Sequence, residues 1–150
     1  MLGRAGREGL PGKVIIQTYS PENFCIECSK QQNYDEFYKT EIELRKQLKY
    51  PPFCDIIMFG INSSDKEEIE KASEKLYKIL KKYGKDDLQI MRPLPAPIDR
   101  IKYRYRWRII AKCKLNNKII DIINKSLEEY YNLKYKKTRV VVDVNPNNMS

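Results

Sequence analysis

Hydrophobic positions recur along this chain with two periods, and the switch between them marks out the elements. From Tyr103 to Leu115 they alternate. Tyr103, Tyr105, Trp107, Ile109, Ala111, Cys113 and Leu115 fall on one face of an extended strand, and Arg104, Arg106, Arg108, Lys112 and Lys114 on the other, with Ile110 the only interruption. A period of two describes a strand with one buried face and one facing solvent or a partner. Cys54 to Ile61 is apolar on both faces, which predicts a central strand whose second face is partly covered. The period then lengthens to that of a helix. Ile69, Ala72, Leu76, Ile79, Leu80 and Tyr83 make one stripe, opened by Ser64-Asp65-Lys66-Glu67 as a capping box and stopped by Gly84 in a left-handed conformation. Asn116 or Asn117 caps a second helix carrying Ile119, Ile120, Ile123 and Leu127. Leu88 to Arg92 reads as a short strand and Arg139 to Val144 as a last one.

Upstream, Asn33 or Asp35 caps a helix through Leu48 with a modest stripe of Phe37, Leu44 and Leu48, and Tyr50-Pro51-Pro52 ends it. Lys13 to Thr18 is an apolar, strand-like run. Pro93, Pro95 and Pro97 predict a stiff, non-helical arm over Arg92 to Pro97, followed by a basic loop from Asp99 to Lys102. From Cys54 onward the order is β-α-β-β-α-β, the split βαβ arrangement of an α+β sandwich with both helices on one face. Its first and third strands are central. The cations of the 103–115 strand then lie mid-sheet on the helix-free face, and Tyr103, Tyr105 and Trp107 turn toward the helices to build core. A nucleic acid on that face would meet backbone-directed charge rather than stacking aromatics.

Charge sharpens this picture. The chain has 150 residues, 17.8 kDa, enough to bury one core, and a net charge of +9. The excess is uneven: 14 basic against 13 acidic residues through Gly84, then 15 against 7. A basic C-terminal half suits phosphate backbones or another polyanion. Arg100, Lys102, Arg104, Arg106, Arg108, Lys112 and Lys114 form the candidate DNA-binding set; the same cations also read as a solvated sheet face. No apolar run of about 18 residues and no charged-then-apolar leader is present, so neither membrane span nor secretion is expected. Four unevenly spaced cysteines suggest reduced thiols in a cytoplasm. Cys25-x-x-Cys28 is a single pair in a chain with no His, too few ligands for a four-coordinate zinc, and no metal site is expected. Near the start, Arg4 and Arg7 stand among Gly3 and Gly6. They read either as a flexible basic leader or as two guanidinium forks for one phosphate. No Gly-rich loop ending in Gly-Lys-Ser/Thr occurs.

Four stretches in order carry a resemblance. Gly3-Arg4-Ala5-Gly6-Arg7 with the run to Pro21 is similar to the end of the second motor lobe of superfamily 2 helicases. Glu41 to Lys46 running into Tyr50-Pro51-Pro52-Phe53, Pro95-Ala96-Pro97 with Arg104-Tyr105-Arg106-Trp107-Arg108, and Val142 to Pro146 resemble three further landmarks of the PriA family of bacterial replication-restart helicases. The resemblance implies a C-terminal piece of an ATP-dependent 3′-5′ DNA helicase used in primosome assembly. It divides the chain into a remnant of the second helicase lobe (1–32), a linking helix and Tyr-Pro-Pro-Phe turn (33–53) and a ribosomal-protein-like, ferredoxin-like α+β domain (54–150). Arg4 and Arg7, with Gly3 and Gly6, would face ATP only in the complete motor. ATP, Mg and Zn belong to that motor, and this chain alone is expected to hold no cofactor and to hydrolyse nothing. The implied partners are forked and single-stranded DNA, single-stranded DNA-binding protein and primosome loader proteins, at the nucleoid in a bacterial cytoplasm. Asn116 and Ile120 depart from the family's acidic-tail contacts, so no tail site is carried over. Two other readings stay open: an RNA- or ribosome-binding module, and a scaffold whose basic face docks an acidic protein tail.

Overall fold

The computed structural model describes residues 14–147. Gly3, Arg4, Gly6 and Arg7, and with them the expected ATP-directed role, lie outside the described residues. The chain divides into two compact units, residues 1–43 and 44–150.

In the first unit, α1 (Phe24–Gln31) is an element the hydrophobic pattern did not reveal. It is only eight residues long, and its end signals are local. Asn23 caps it, its side chain accepting from Cys25 N at 2.9 Å, and Gln32 closes it in the left-handed region at φ 54°. Next, α2 (Tyr34–Gln47) opens on a reciprocal cap: Asn33 Oδ1 accepts from Glu36 N at 3.2 Å, and Asn33 donates back to the Glu36 carboxylate at 2.6 Å. Asn33, not Asp35, is therefore the N-cap. Phe24 and Phe37 stack with ring centroids 6.5 Å apart. Val14, Ile15 and Ile16 form no strand and are 43 %, 81 % and 50 % exposed.

The second unit is the expected α+β sandwich. Its elements are β1 (Asp55–Ser63), α3 (Lys66–Gly84), β2 (Gln89–Ile90), β3 (Leu94–Ile101), β4 (Arg104–Cys113), α4 (Asn117–Tyr131) and β5 (Thr138–Val144). The sheet runs β2-β4-β1-β5, with β3 also paired to β4, and all its pairings are antiparallel. β1 and β4 are central, as the split βαβ order requires. α3 packs on β1, β4 and β5, and α4 packs on α3. Ile57, Phe59 and Ile61 of β1, Ile109 and Ala111 of β4, Ile69, Leu76 and Leu80 of α3, and Ile119 and Ile123 of α4 close one core. Each Ile, Leu or Phe side chain of this set taken out of water contributes about 1.5–3 kcal/mol.

Three local expectations are corrected. The proline arm is strand β3: Leu94 pairs with Arg108 and Pro95 with Trp107, and the register shifts before Arg100 pairs with Tyr105. Prolines are tolerated there because β3 is an edge strand with a bulge. Ser64 does not cap α3; Asp65 does, accepting from Glu67 N at 3.0 Å and Glu68 N at 3.1 Å. The Glu68 carboxylate receives Lys137 N and Thr138 Oγ1, at 2.9 and 2.7 Å, which ties the start of α3 to the start of β5. Gly84 is not the left-handed stop either. The positive φ falls on Lys85, at 39° with ψ −118°, outside the left-handed helical region, while Gly84 is buried against Leu88.

A clasp of polar side chains fixes one end of the sheet. Asp55 accepts from Leu115 N at 2.8 Å and from Asn145 Nδ2 at 2.9 Å, and Asn145 Oδ1 accepts from Ile56 N at 2.9 Å. These bonds join the start of β1 to the ends of β4 and β5. The bond from Asn145 first, and that from Leu115 second, hold the Asp55 carboxyl below its ordinary range.

Candidate nucleic-acid interface

Register sorts the basic residues of β4 by face. Trp107 pairs with Ile61 and Ile109 with Phe59, both partners fully buried, so these side chains turn toward the helices. Tyr105 and Trp107 pack on the core as the alternation predicts. Tyr103 does not: it stands in the β3–β4 turn and is 82 % exposed.

Arg104, Arg106, Arg108, Ile110 and Lys112 take the opposite face. There, Arg106 lies opposite Asn62, and Asn62 lies opposite Arg139 of β5. One row across three strands thus reads Arg106, Asn62, Arg139. The next reads Leu94, Arg108, Gly60, Val141, and the third Ile110, Met58, Asp143. Gly60 sits in the middle of this face, where an added Cβ would meet nothing closer than the Val141 carbonyl at 3.8 Å. The face is open at its centre, with guanidinium groups at Arg106, Arg108 and Arg139 on one side and the Asp143 carboxylate on the other. Among the described residues, Arg104, Arg106 and Arg139 stand in no ion pair. Two isolated arginines facing each other across a small polar residue repel, and an anion between them relieves that repulsion.

Arg139 is the member that sequence reasoning missed. Its signal was the alternation of β5, which sends Val140 and Val142 to the core side and Arg139, Val141 and Asp143 to the other. A single arginine in a short strand carried no weight until the pairing of β5 with β1 placed it two strands from Arg106.

Lys112 leaves the expected set. It is only 8 % exposed, its ammonium donates to the Leu48 carbonyl at 3.0 Å and lies 3.7 Å from the Tyr50 ring centroid. Tyr50 and the Leu48 carbonyl thus close over this end of the helix-free face, where Ile56, opposite Lys112, is 5 % exposed. Lys112 is a clasp for that segment rather than a free cation. Lys114 lies beyond it, lining a separate cavity of about 430 Å³ with Lys46, Lys49, Phe53 and Asp86. Lys102 is in the β3–β4 turn. Arg100 sits beside two rings, its guanidinium 5.7 Å from the centroid of Tyr103 and 5.2 Å from that of Tyr105.

None of the four cysteines is bonded to another in the structure. Cys113 is buried on the core side, and burial first, then Asp55 and Cys54, pushes its pKa up to about 11. Cys54 donates to the Lys49 carbonyl at 2.9 Å. Cys25 and Cys28 lie on α1, where burial raises the Cys28 thiol. Among the described residues no three His, Cys, Asp or Glu side chains come together as a metal site. Among the same residues no helix is long and apolar enough to cross a membrane.

Comparison with known proteins agrees with the four sequence landmarks. Replication restart protein PriA of Bacillus subtilis is 34 % identical over 145 residues, covering 96 % of this chain and 18 % of that protein. The Synechocystis protein of the same name is 37 % identical over 110 residues, covering 73 % and 13 %. That of Thermotoga maritima is 32 % identical over 126 residues, covering 84 % and 16 %. The chain therefore spans less than a fifth of the length of these relatives. The family model described as "Primosomal protein N C-terminal domain" matches residues 46–147, nearly the whole of the second unit. The chain belongs to the primosomal protein N C-terminal domain family.

Proposed function

We propose that this chain acts within a replication-restart DNA helicase as the part that holds branched DNA by its phosphate backbone. The observation that carries this reading is the Arg106–Asn62–Arg139 row, contributed by three strands on the helix-free face, with Arg104 and Arg108 beside it. Guanidinium groups spaced along a sheet reach successive phosphates, and each phosphate neutralised releases counterions. Such contacts position a duplex or a strand without reading its sequence. ATP turnover belongs to the rest of the relatives' length, and Arg4 and Arg7 would serve it there. Docking of single-stranded DNA-binding protein and of loader proteins is part of the same proposal. Asn116 is not available for it, since its side chain caps α4 by accepting from Ile119 N at 3.0 Å, whereas Ile120 is exposed.

A gel-shift series with forked, duplex and single-stranded DNA of one sequence tests the reading. The expected order places forked DNA first, with little change when the sequence is scrambled. Tighter binding to an RNA of the same fold, in direct competition, would overturn it.

A further inference from the structure

We propose that Tyr103, at the tip of the β3–β4 hairpin, is a stacking platform for an unpaired base of the DNA whose phosphates lie on the neighbouring arginines. This rests on the DNA reading above and adds to it a contact of different chemistry. Three observations carry it. The ring is 82 % exposed, although Tyr105 and Trp107 of the same alternation pack on the core. The ring therefore takes no part in the core, where its neighbours do.

The second observation is the backbone. Ile101 pairs with Arg104, leaving Lys102 and Tyr103 as a two-residue turn, and both are left-handed, at φ 47° and 61°. Hairpin turns of that form ordinarily select Asn-Gly, because bulky residues are disfavoured there. A tyrosine held in such a conformation and giving its ring to solvent is a cost that function accounts for and folding does not. Third, the Arg100 guanidinium lies 5.7 Å from the Tyr103 centroid, and the β4 arginines begin at Arg104, the very next residue. A ring, a cation beside it and a row of phosphate-directed charges leading away are the components of single-strand recognition, in which every base offers a π-face. A fork supplies the unpaired base where duplex phosphates end.

The whole chain is bound to forked DNA carrying 2-aminopurine in the unpaired arm beside the junction, and separately within the duplex. Quenching is expected from the unpaired arm only. Tyr103→Asn should abolish it and weaken single-strand binding about tenfold, while the salt dependence stays as in the unaltered chain. Because Asn accepts the left-handed region, its melting temperature should equal or exceed that of the unaltered chain. Tyr103→Trp should restore quenching. Unchanged quenching and affinity in Tyr103→Asn would overturn the proposal, as would a lost affinity accompanied by a lowered melting temperature. Equal quenching on a forked RNA would overturn the choice of DNA. An unaltered chain that binds no DNA at all would instead contradict the underlying reading.

Discussion

At Gly84 an added methyl would lie 2.9 Å from both Cβ and Cδ1 of Leu88. Two effects of opposite sign meet there. Alanine is the better helix former, by about 0.8–1 kcal/mol. Against this, Leu88 is buried to 4 % exposure and its Cβ is fixed by the backbone, so the clash cannot be relieved by turning a rotamer. Overpacking a core by a methylene group costs about 1–3 kcal/mol, and we expect it to win. Gly84→Ala should lower the melting temperature by several degrees, whereas Lys85→Gly, at a positive φ of 39° that glycine adopts freely, should raise it; calorimetry on both variants checks the signs. The sequence pointed to this glycine for the wrong reason. A Gly at the end of an apolar stripe reads as a left-handed stop, and only the return of the chain to Leu88 shows that the missing side chain, not the dihedral, is what matters. Arg139 was invisible for a related reason, since its meaning depends on which strand lies beside β5.

Among the elements, β4 was the most legible, because strict alternation over ten residues leaves one assignment of faces. It was misread only at its ends. Tyr103 slips into the turn, and Lys112 is covered by a segment that follows α2 and has no periodic signature. β3 was read as an arm because three prolines argue against a strand interior, and edge position with a bulge removes that argument. The core side of β4 carries a pH signature. Cys113 has its pKa raised to about 11 from an ordinary 9.0. Between those values the unfolded chain has lost the thiol proton and the folded chain keeps it, so stability falls as pH rises across that window and is fully present below it. The measurement is a comparison: urea unfolding from pH 8 to 11 should fall more steeply for the unaltered chain than for Cys113→Ala. Parallel curves would show that this thiol is not held protonated by burial.

For the whole molecule, the split βαβ topology was readable because every helix and strand from Cys54 onward except β3 carried its own hydrophobic period. It places the two central strands so that helices cover one face while the arginines of β4 and Arg139 stand on the other. The central claim is that this helix-free face neutralises DNA phosphates through a row built from β4, β1 and β5. Salt dependence of binding tests it most directly. With three or four of Arg100, Lys102, Arg104, Arg106, Arg108 and Arg139 engaged, the log–log slope for duplex DNA should be about −3 to −4. Arg106→Ala and Arg139→Ala should each flatten it by about one unit. Lys112→Met, which loses the Tyr50 contact and the Leu48 bond but no phosphate, should lower stability and leave the slope unchanged. A slope that ignores Arg106 and Arg139, or one that flattens in Lys112→Met as much as in the arginine variants, would contradict the account.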